Sequence, residues 1–145
     1  MVTPQTTAPA TAATAGETAA AQYELSQRFF FDAAHSLHRA VDDAAEIESS
    51  RRIHGHTYEA EVTVRGLPDP TSGMLIDLGF LRSEIARVRD RLDHRLLDEV
   101  EGIGPATLEN LCAYIRKQLE PAVPCLCAVM VERRTSGDRC VLRWE

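Results

Sequence analysis

In "RRIHGHTYEAEV" two histidines flank a glycine just where strict alternation of apolar and polar residues begins. Residues two apart on a β-strand project to the same side, so His54 and His56 present both imidazoles to one point. A third histidine, His35, ends an earlier alternating run in which Tyr23, Leu25, Phe29, Phe31 and Ala33 share its face. If the two runs pair antiparallel, three neutral imidazoles converge and leave one position open. That donor set describes a catalytic zinc centre whose fourth ligand is water or substrate. Zn2+ is the expected cofactor, with His35, His54 and His56 as its ligands. Two ordinary surface histidines are the bland reading of an H-x-H pair alone; the third histidine on the matching face favours the metal. His38 is a rival ligand that would join His35 only on a helix, whereas "FDAAHSLHRA" reads as a strand running into a loop.

Such a metal needs groups that move protons. "RLDHRLL" sets Asp93 beside His94, and a carboxylate near an imidazole fixes its tautomer and raises its basicity. A solvated loop pair is the alternative. In "ATLEN", Thr107 has the right chemistry to cap a helix and Glu109 suits the positive end of its dipole, so both have a structural explanation before any role in binding.

The elements that position these groups follow from periodicity. One strand runs from Tyr23 to His35 and a second starts at His54, separated by a polar, irregular stretch over residues 36–53 that reads as a long loop. "GLPDPTSG" makes a turn. Leu78, Leu81, Ile85, Val88 and Leu92 then recur at helical spacing behind Asp77 as cap, and a second helix carries Leu108, Leu111, Cys112, Ile115 and Leu119 from Thr107 to a stop at Pro121. "CLCAVMVE" and "RCVLRW" close the chain as strands. The predicted order is strand, strand, helix, helix, strand, strand.

Composition narrows the class. A chain of 145 residues is expected to form one domain, over residues 22–145, behind a disordered Ala- and Thr-rich tail over residues 1–21. The net charge of -6 argues against nucleic-acid affinity, and no apolar run approaches a membrane span. No Lys or Arg precedes Arg28, which removes the basic region of an export signal and makes the cytoplasm the expected location. Cys112, Cys125, Cys127 and Cys140 form no C-x-x-C pair and read as free thiols.

Six separated motifs, "FDAAHSL", "RRIHGHTYEAEVTVRG", "GMLIDLGFLR", "RLDHRLLDEV", "GPATLENL" and "AVMVE", together resemble the family of 6-pyruvoyl-tetrahydropterin synthase and 6-carboxy-tetrahydropterin synthase, from about Tyr23 to Trp144. The resemblance implies the tunnelling fold, an α+β architecture with a four-stranded antiparallel sheet and two helices on one face (order ββααββ). It also implies a homo-oligomer, trimer or hexamer. Zinc on His35, His54 and His56, a small substrate such as dihydroneopterin triphosphate, and proton transfer by a cysteine with Asp93 and His94 follow from the same likeness. Thr107 and Glu109 become candidates for holding substrate.

The chain departs from the family at two places. Where the family has its cysteine, four residues before the first histidine of H-G-H, stands Ser50. A hydroxyl ionises far above a thiol's ~8.5 and is no ready base; Glu46 or Glu48 on the same loop offer a carboxylate instead. Where the family has the glutamate that anchors the pterin ring stands Arg133, with Glu132 one residue early. A one-residue shift turns a strand side chain to the other face, so Glu132 reaches the site only across a bulge, whereas Arg133 suits a carboxylate or phosphate. The expectation is a zinc-dependent lyase with altered base and anchor, acting on dihydroneopterin triphosphate or a different small polar hydroxylated substrate. The alternatives are the ordinary synthase reaction using Ser50 or a loop glutamate, and a noncatalytic zinc- or ligand-binding module.

Overall fold

Tyr23–His35 (β1) and His54–Gly66 (β2) form the long central hairpin, paired antiparallel from Tyr23 opposite Gly66 to His35 opposite His54. This computed structural model describes residues 21–40 and 42–145. The expected tail lies outside the described residues except for Ala21. β2 pairs on its other side with Leu126–Arg133 (β4), which pairs with Asp138–Arg143 (β5).

Alternation sorts the two faces. Phe29, Phe31, Ala33 and His35 of β1, with Tyr58, Ala60, Val62 and Val64 of β2, are buried on one side. Two helices cover that side. Leu78–Leu92 (α2) buries Leu81, Ile85, Val88 and Leu92, and Leu108–Leu119 (α3) buries Leu111, Cys112, Tyr114, Ile115 and Leu119. Asp77 caps α2 by accepting from the Phe80 N–H, and Thr107 caps α3 through Asn110, both as the sequence predicts. Each fully buried Leu or Ile contributes about 1.5–3 kcal/mol, so this single core holds the helices to the sheet.

The helix-free face carries charge. Glu59 is nonetheless only 1% exposed, because Arg28 reaches one carboxylate oxygen at 3.0 Å while Arg134 Nε lies 2.5 Å from the other. The Arg134 contact is an ion pair rather than an aligned hydrogen bond.

The architecture is α+β, but the sheet has five strands and is mixed. Arg95–Leu96 (β3) runs parallel to β1 at Ala33–Ala34, giving the order β3-β1-β2-β4-β5. Two residues are too few to show a period, and their place is set instead by Asp93, whose Oδ1 accepts the Asp32 N–H, and by the His94 N–H donated to the Asp32 carbonyl. The stretch read as a continuous loop also contains a helix, Ala44–Arg51 (α1), capped by Asp43. None of its residues is buried, so it leaves no apolar stripe in the sequence. The element order is thus β1, α1, β2, α2, β3, a short 3-10 turn at Leu97–Glu99, α3, β4, β5. Among the described residues no helix is long and apolar enough to cross a membrane.

Candidate metal centre and its cleft

The β1–β2 register brings His35 opposite His54 and Ala33 opposite His56, which places all three imidazoles on the helix-covered face at one end of the hairpin. Their Nε2 atoms converge: His35 Nε2 lies 3.1 Å from His54 Nε2 and 3.1 Å from His56 Nε2. These short contacts are not hydrogen bonds, because the proton is elsewhere on two of the rings. His35 Nδ1 donates to the Ala106 carbonyl at 3.0 Å and His54 Nδ1 to the Arg52 carbonyl at 2.8 Å. A carbonyl only accepts, so Nδ1 carries the hydrogen and Nε2 keeps its lone pair. His56 Nε2 faces the Arg133 guanidinium at 3.4 Å and is likewise an acceptor.

Three acceptor nitrogens held this close, those of His35 and His54 with no other partner, repel unless a cation lies between them. Tetrahedral zinc with bonds of about 2.0–2.1 Å needs its nitrogens roughly 3.3 Å apart, close to the spacing found. His35 is 2% exposed, and burial pushes its pKa down against the opposing pull of the Ala106 carbonyl. Burial first, then Arg133, pushes His56 down to about 4. Neutral imidazoles are the form a metal requires. His35, His54 and His56 can therefore hold a metal ion, and among the described residues they are the one His, Cys, Asp and Glu cluster with that geometry. His38 is exposed and outside the cluster.

Beside the triad opens a cleft of ≈ 260 Å³ whose lining includes Tyr58, Thr107, Glu109, Arg133 and Asp138. A larger cavity of ≈ 640 Å³, between Asp90, Arg95, Glu99 and Lys117, lies away from the histidines and is lined by charges of both signs. Size does not mark the site; convergence of unpaired polar groups does. In the smaller cleft, the Tyr58 hydroxyl and Arg133 Nε are both buried without a hydrogen-bond partner. Burial raises Tyr58 to about 12, so it stays a neutral donor. Asp138 accepts from Arg133 Nη2 at 2.7 Å. Tyr58 and Asp138 were missed in the sequence, although Tyr58 sits two residues beyond His56 in the same alternation.

Arg133 and Glu132 part company here. β4 has its irregularity upstream, where Thr63 pairs Ala128 and Val64 pairs Leu126, leaving Cys127 extra. From Ala128 onward the strand alternates without interruption, so Val129, Val131 and Arg133 face the triad side. Glu132 pairs with Glu59 on the helix-free face and meets Arg134 and Arg139. Glu132 as a residue of this cleft is thereby corrected: no bulge intervenes where it would be needed.

Asp93 and His94 are together and lie outside the cleft that holds Tyr58 and Arg133. Asp93 Oδ2 lies 3.1 Å from His94 Nδ1 and 3.0 Å from Arg89 Nη2. The Asp32 N–H, then His94 and Arg89, hold the Asp93 carboxyl below its ordinary pKa. His94 is 79% exposed, takes φ 56°, and lines a different cleft with Asp32, Gly55, His56 and Thr57. Ser50 ends half-buried in the last turn of α1, its carbonyl accepting from the N–H of Leu37, which lines the triad's cleft. Glu46 and Glu48 pair with Arg39 and Arg52 and remain exposed. All four cysteines are free, with Cys112 and Cys127 buried.

Comparison with known proteins places this geometry. The family profile for 6-pyruvoyl tetrahydropterin synthase matches residues 24–145. A putative 6-pyruvoyl tetrahydrobiopterin synthase of Caenorhabditis elegans is 40% identical over 99 residues, which is 62% of this chain and 71% of that protein. A dihydroneopterin monophosphate aldolase of Pyrococcus furiosus is 32% identical over 97 residues, 67% of this chain and 75% of the relative. The solved structure of Caenorhabditis elegans 6-pyruvoyl tetrahydropterin synthase superposes with a TM-score of 0.73 at 32% identity, covering 86% of this chain and 97% of the other.

Proposed function

Because the chain belongs to the 6-pyruvoyl tetrahydropterin synthase family, we propose that it is a zinc-dependent lyase acting on dihydroneopterin triphosphate or on another small polar hydroxylated substrate. The observation that carries the reading is the convergence of three Nε2 atoms, two of them on rings oriented by the Ala106 and Arg52 carbonyls. Zn2+ bound there supplies Lewis-acid polarisation of a hydroxyl or carbonyl oxygen at its open position. Relatives named as a pterin synthase and as a dihydroneopterin phosphate aldolase support a lyase on a pterin-type or similar side chain.

The chain's own residues divide the remaining work. Backbone carbonyls fix the imidazole tautomers, and their loss would be expected to weaken metal binding ~10–100-fold. Tyr58, Thr107, Glu109 and Arg133 border the space where substrate sits. Asp93 and His94 are the proton-transfer pair, with Asp93 holding His94 oriented. His94 lines a cleft that reaches His56 but neither His35 nor the Arg133 side, so the reading includes a homo-oligomer in which a neighbouring copy delivers the pair. Among the described residues two sheet edges, β3 and β5, are free to be covered by such association.

A second reading is the ordinary synthase reaction with Ser50 as base, favoured by one contact: the Ser50 carbonyl to Leu37 N–H bond holds that turn beside the cleft. Metal analysis of the purified protein and of His54→Ala, followed by product analysis with dihydroneopterin triphosphate and monophosphate, tests both. One zinc per chain, lost in His54→Ala, with turnover dependent on His94 is the expected result. A metal-free protein, or activity unchanged in His54→Ala, would remove the zinc reading; turnover that rises on Ser50→Cys would favour the second. No turnover with either pterin leaves a different substrate, or binding alone, as the function.

A further inference from the structure

The cleft beside the triad sets the donors Arg133 and Tyr58 among its lining, together with two carboxylates, Glu109 and Asp138. Arg133 enters it with Nη2 held by Asp138, Nη1 3.4 Å from His56 Nε2, and Nε buried without a partner. Tyr58, 1% exposed, lines the same cleft with its hydroxyl also unpartnered. The first turn of α3 opens on it through Thr107, Leu108 and Glu109, and the leading N–H groups of a helix have no intrahelical acceptor. A buried polar atom left unpaired is unfavourable, and a ligand whose acceptors reach it removes that penalty. Donors cannot satisfy them: a ring edge presenting N–H groups would meet N–H and O–H.

We propose that this cleft takes its substrate by an anionic oxyacid group, carboxylate or phosphate, bound by Arg133 and Tyr58 and carried only a few bonds from the oxygen that faces the three histidines. The spacing sets that closeness. Arg133 Nη1 is 3.4 Å from a histidine nitrogen, and a metal–nitrogen bond adds about 2 Å, so anion and reacting oxygen lie within one small molecule. Arg133 has given Nη2 to Asp138 and turned Nη1 toward His56, so it meets an anion with its fixed positive charge and the unpartnered Nε. Glu109, the other carboxylate of the lining, is exposed and makes no bond to Arg133.

The proposal rests on the metal-centre reading and is separable from it. Calorimetric titration of the zinc-loaded full chain with D-glycerate, inorganic phosphate and glycerol reads it directly. At least one anion is expected to bind 100-fold or more tighter than glycerol; glycerate ahead of phosphate identifies a carboxylate, the reverse a phosphate ester. Arg133→Met is expected to lose tenfold or more of that affinity while keeping one zinc per chain, Arg133→Lys to recover part of it, and Tyr58→Phe to lose several-fold. Should Arg133→Met fail to fold, Arg133→Lys and Tyr58→Phe carry the comparison. Glycerol binding as tightly as both anions, or anion affinity unchanged across the folded variants, overturns the proposal. If the chain holds no zinc yet binds anions through Arg133, the metal reading falls and the anion site stands; if it holds zinc but shows no anion preference, the metal reading stands and the anion site falls.

Discussion

The triad and the Asp93–His94 pair are built by opposite means. His35 and His54 are fixed by a long antiparallel register and by carbonyls on segments outside the strands, so their geometry is over-determined, with His35 buried and His54 half-buried. His94 hangs on a two-residue edge strand, mostly exposed, in a left-handed backbone conformation that few non-glycine residues adopt. The contrast teaches that the three histidines converge within one chain, whereas the Asp93–His94 pair is displayed at an exposed edge.

Breaking the first region should have the largest effect. His54→Ala is expected to lower metal affinity at least ~100-fold, beyond the loss from removing a ligand's hydrogen-bond partner, with the far-ultraviolet spectrum unchanged; competition with a chromogenic chelator measures it. His94→Gly sharpens the contrast from the other side. Relief of the left-handed strain should leave stability unchanged or raise it by up to ~1 kcal/mol, while turnover falls about 100-fold. Urea melts read beside initial rates show the split; stability and rate lost together would make His94 structural.

How far these regions were legible in the sequence follows the same divide. Period-2 alternation ending in His35, and again beginning at His54, announced the triad because both strands are long and buried on one face. Asp93 was visible as a neighbour of His94, but not as the clamp that holds β3 to Asp32, since that bond spans distant parts of the chain. α1 was invisible because nothing on it is buried, although Asp43 and the Glu48–Arg52 pair were helix signals available without periodicity. Which of Glu132 and Arg133 faces the histidines depended on where β4 spends its extra residue, and sequence alternation alone does not locate a bulge.

Smaller effects remain on either side of the comparison. Tyr58→Phe removes a buried hydroxyl without a partner and should leave stability unchanged or raise it by about 1 kcal/mol, read by thermal melting of the metal-free chain. For Asp93 the sign is fixed by its lowered pKa. Its contribution is present above the ordinary 3.8 and is lost as pH falls through the lower folded value. The carboxyl carbon of Asp93 should therefore titrate with a midpoint below 3.8, and a carbon-13 resonance midpoint above that value would contradict the bond.

The placement of Cys127 has a consequence on an evolutionary scale. Because the strand keeps strict phase from Ala128 onward, one codon inserted after Val131 would carry Glu132 into the position Arg133 now holds and push the surplus into the β4–β5 turn. Cation would become anion at the cleft with every other side chain of the site untouched. A single indel would thereby reverse the charge that the cleft presents to a substrate.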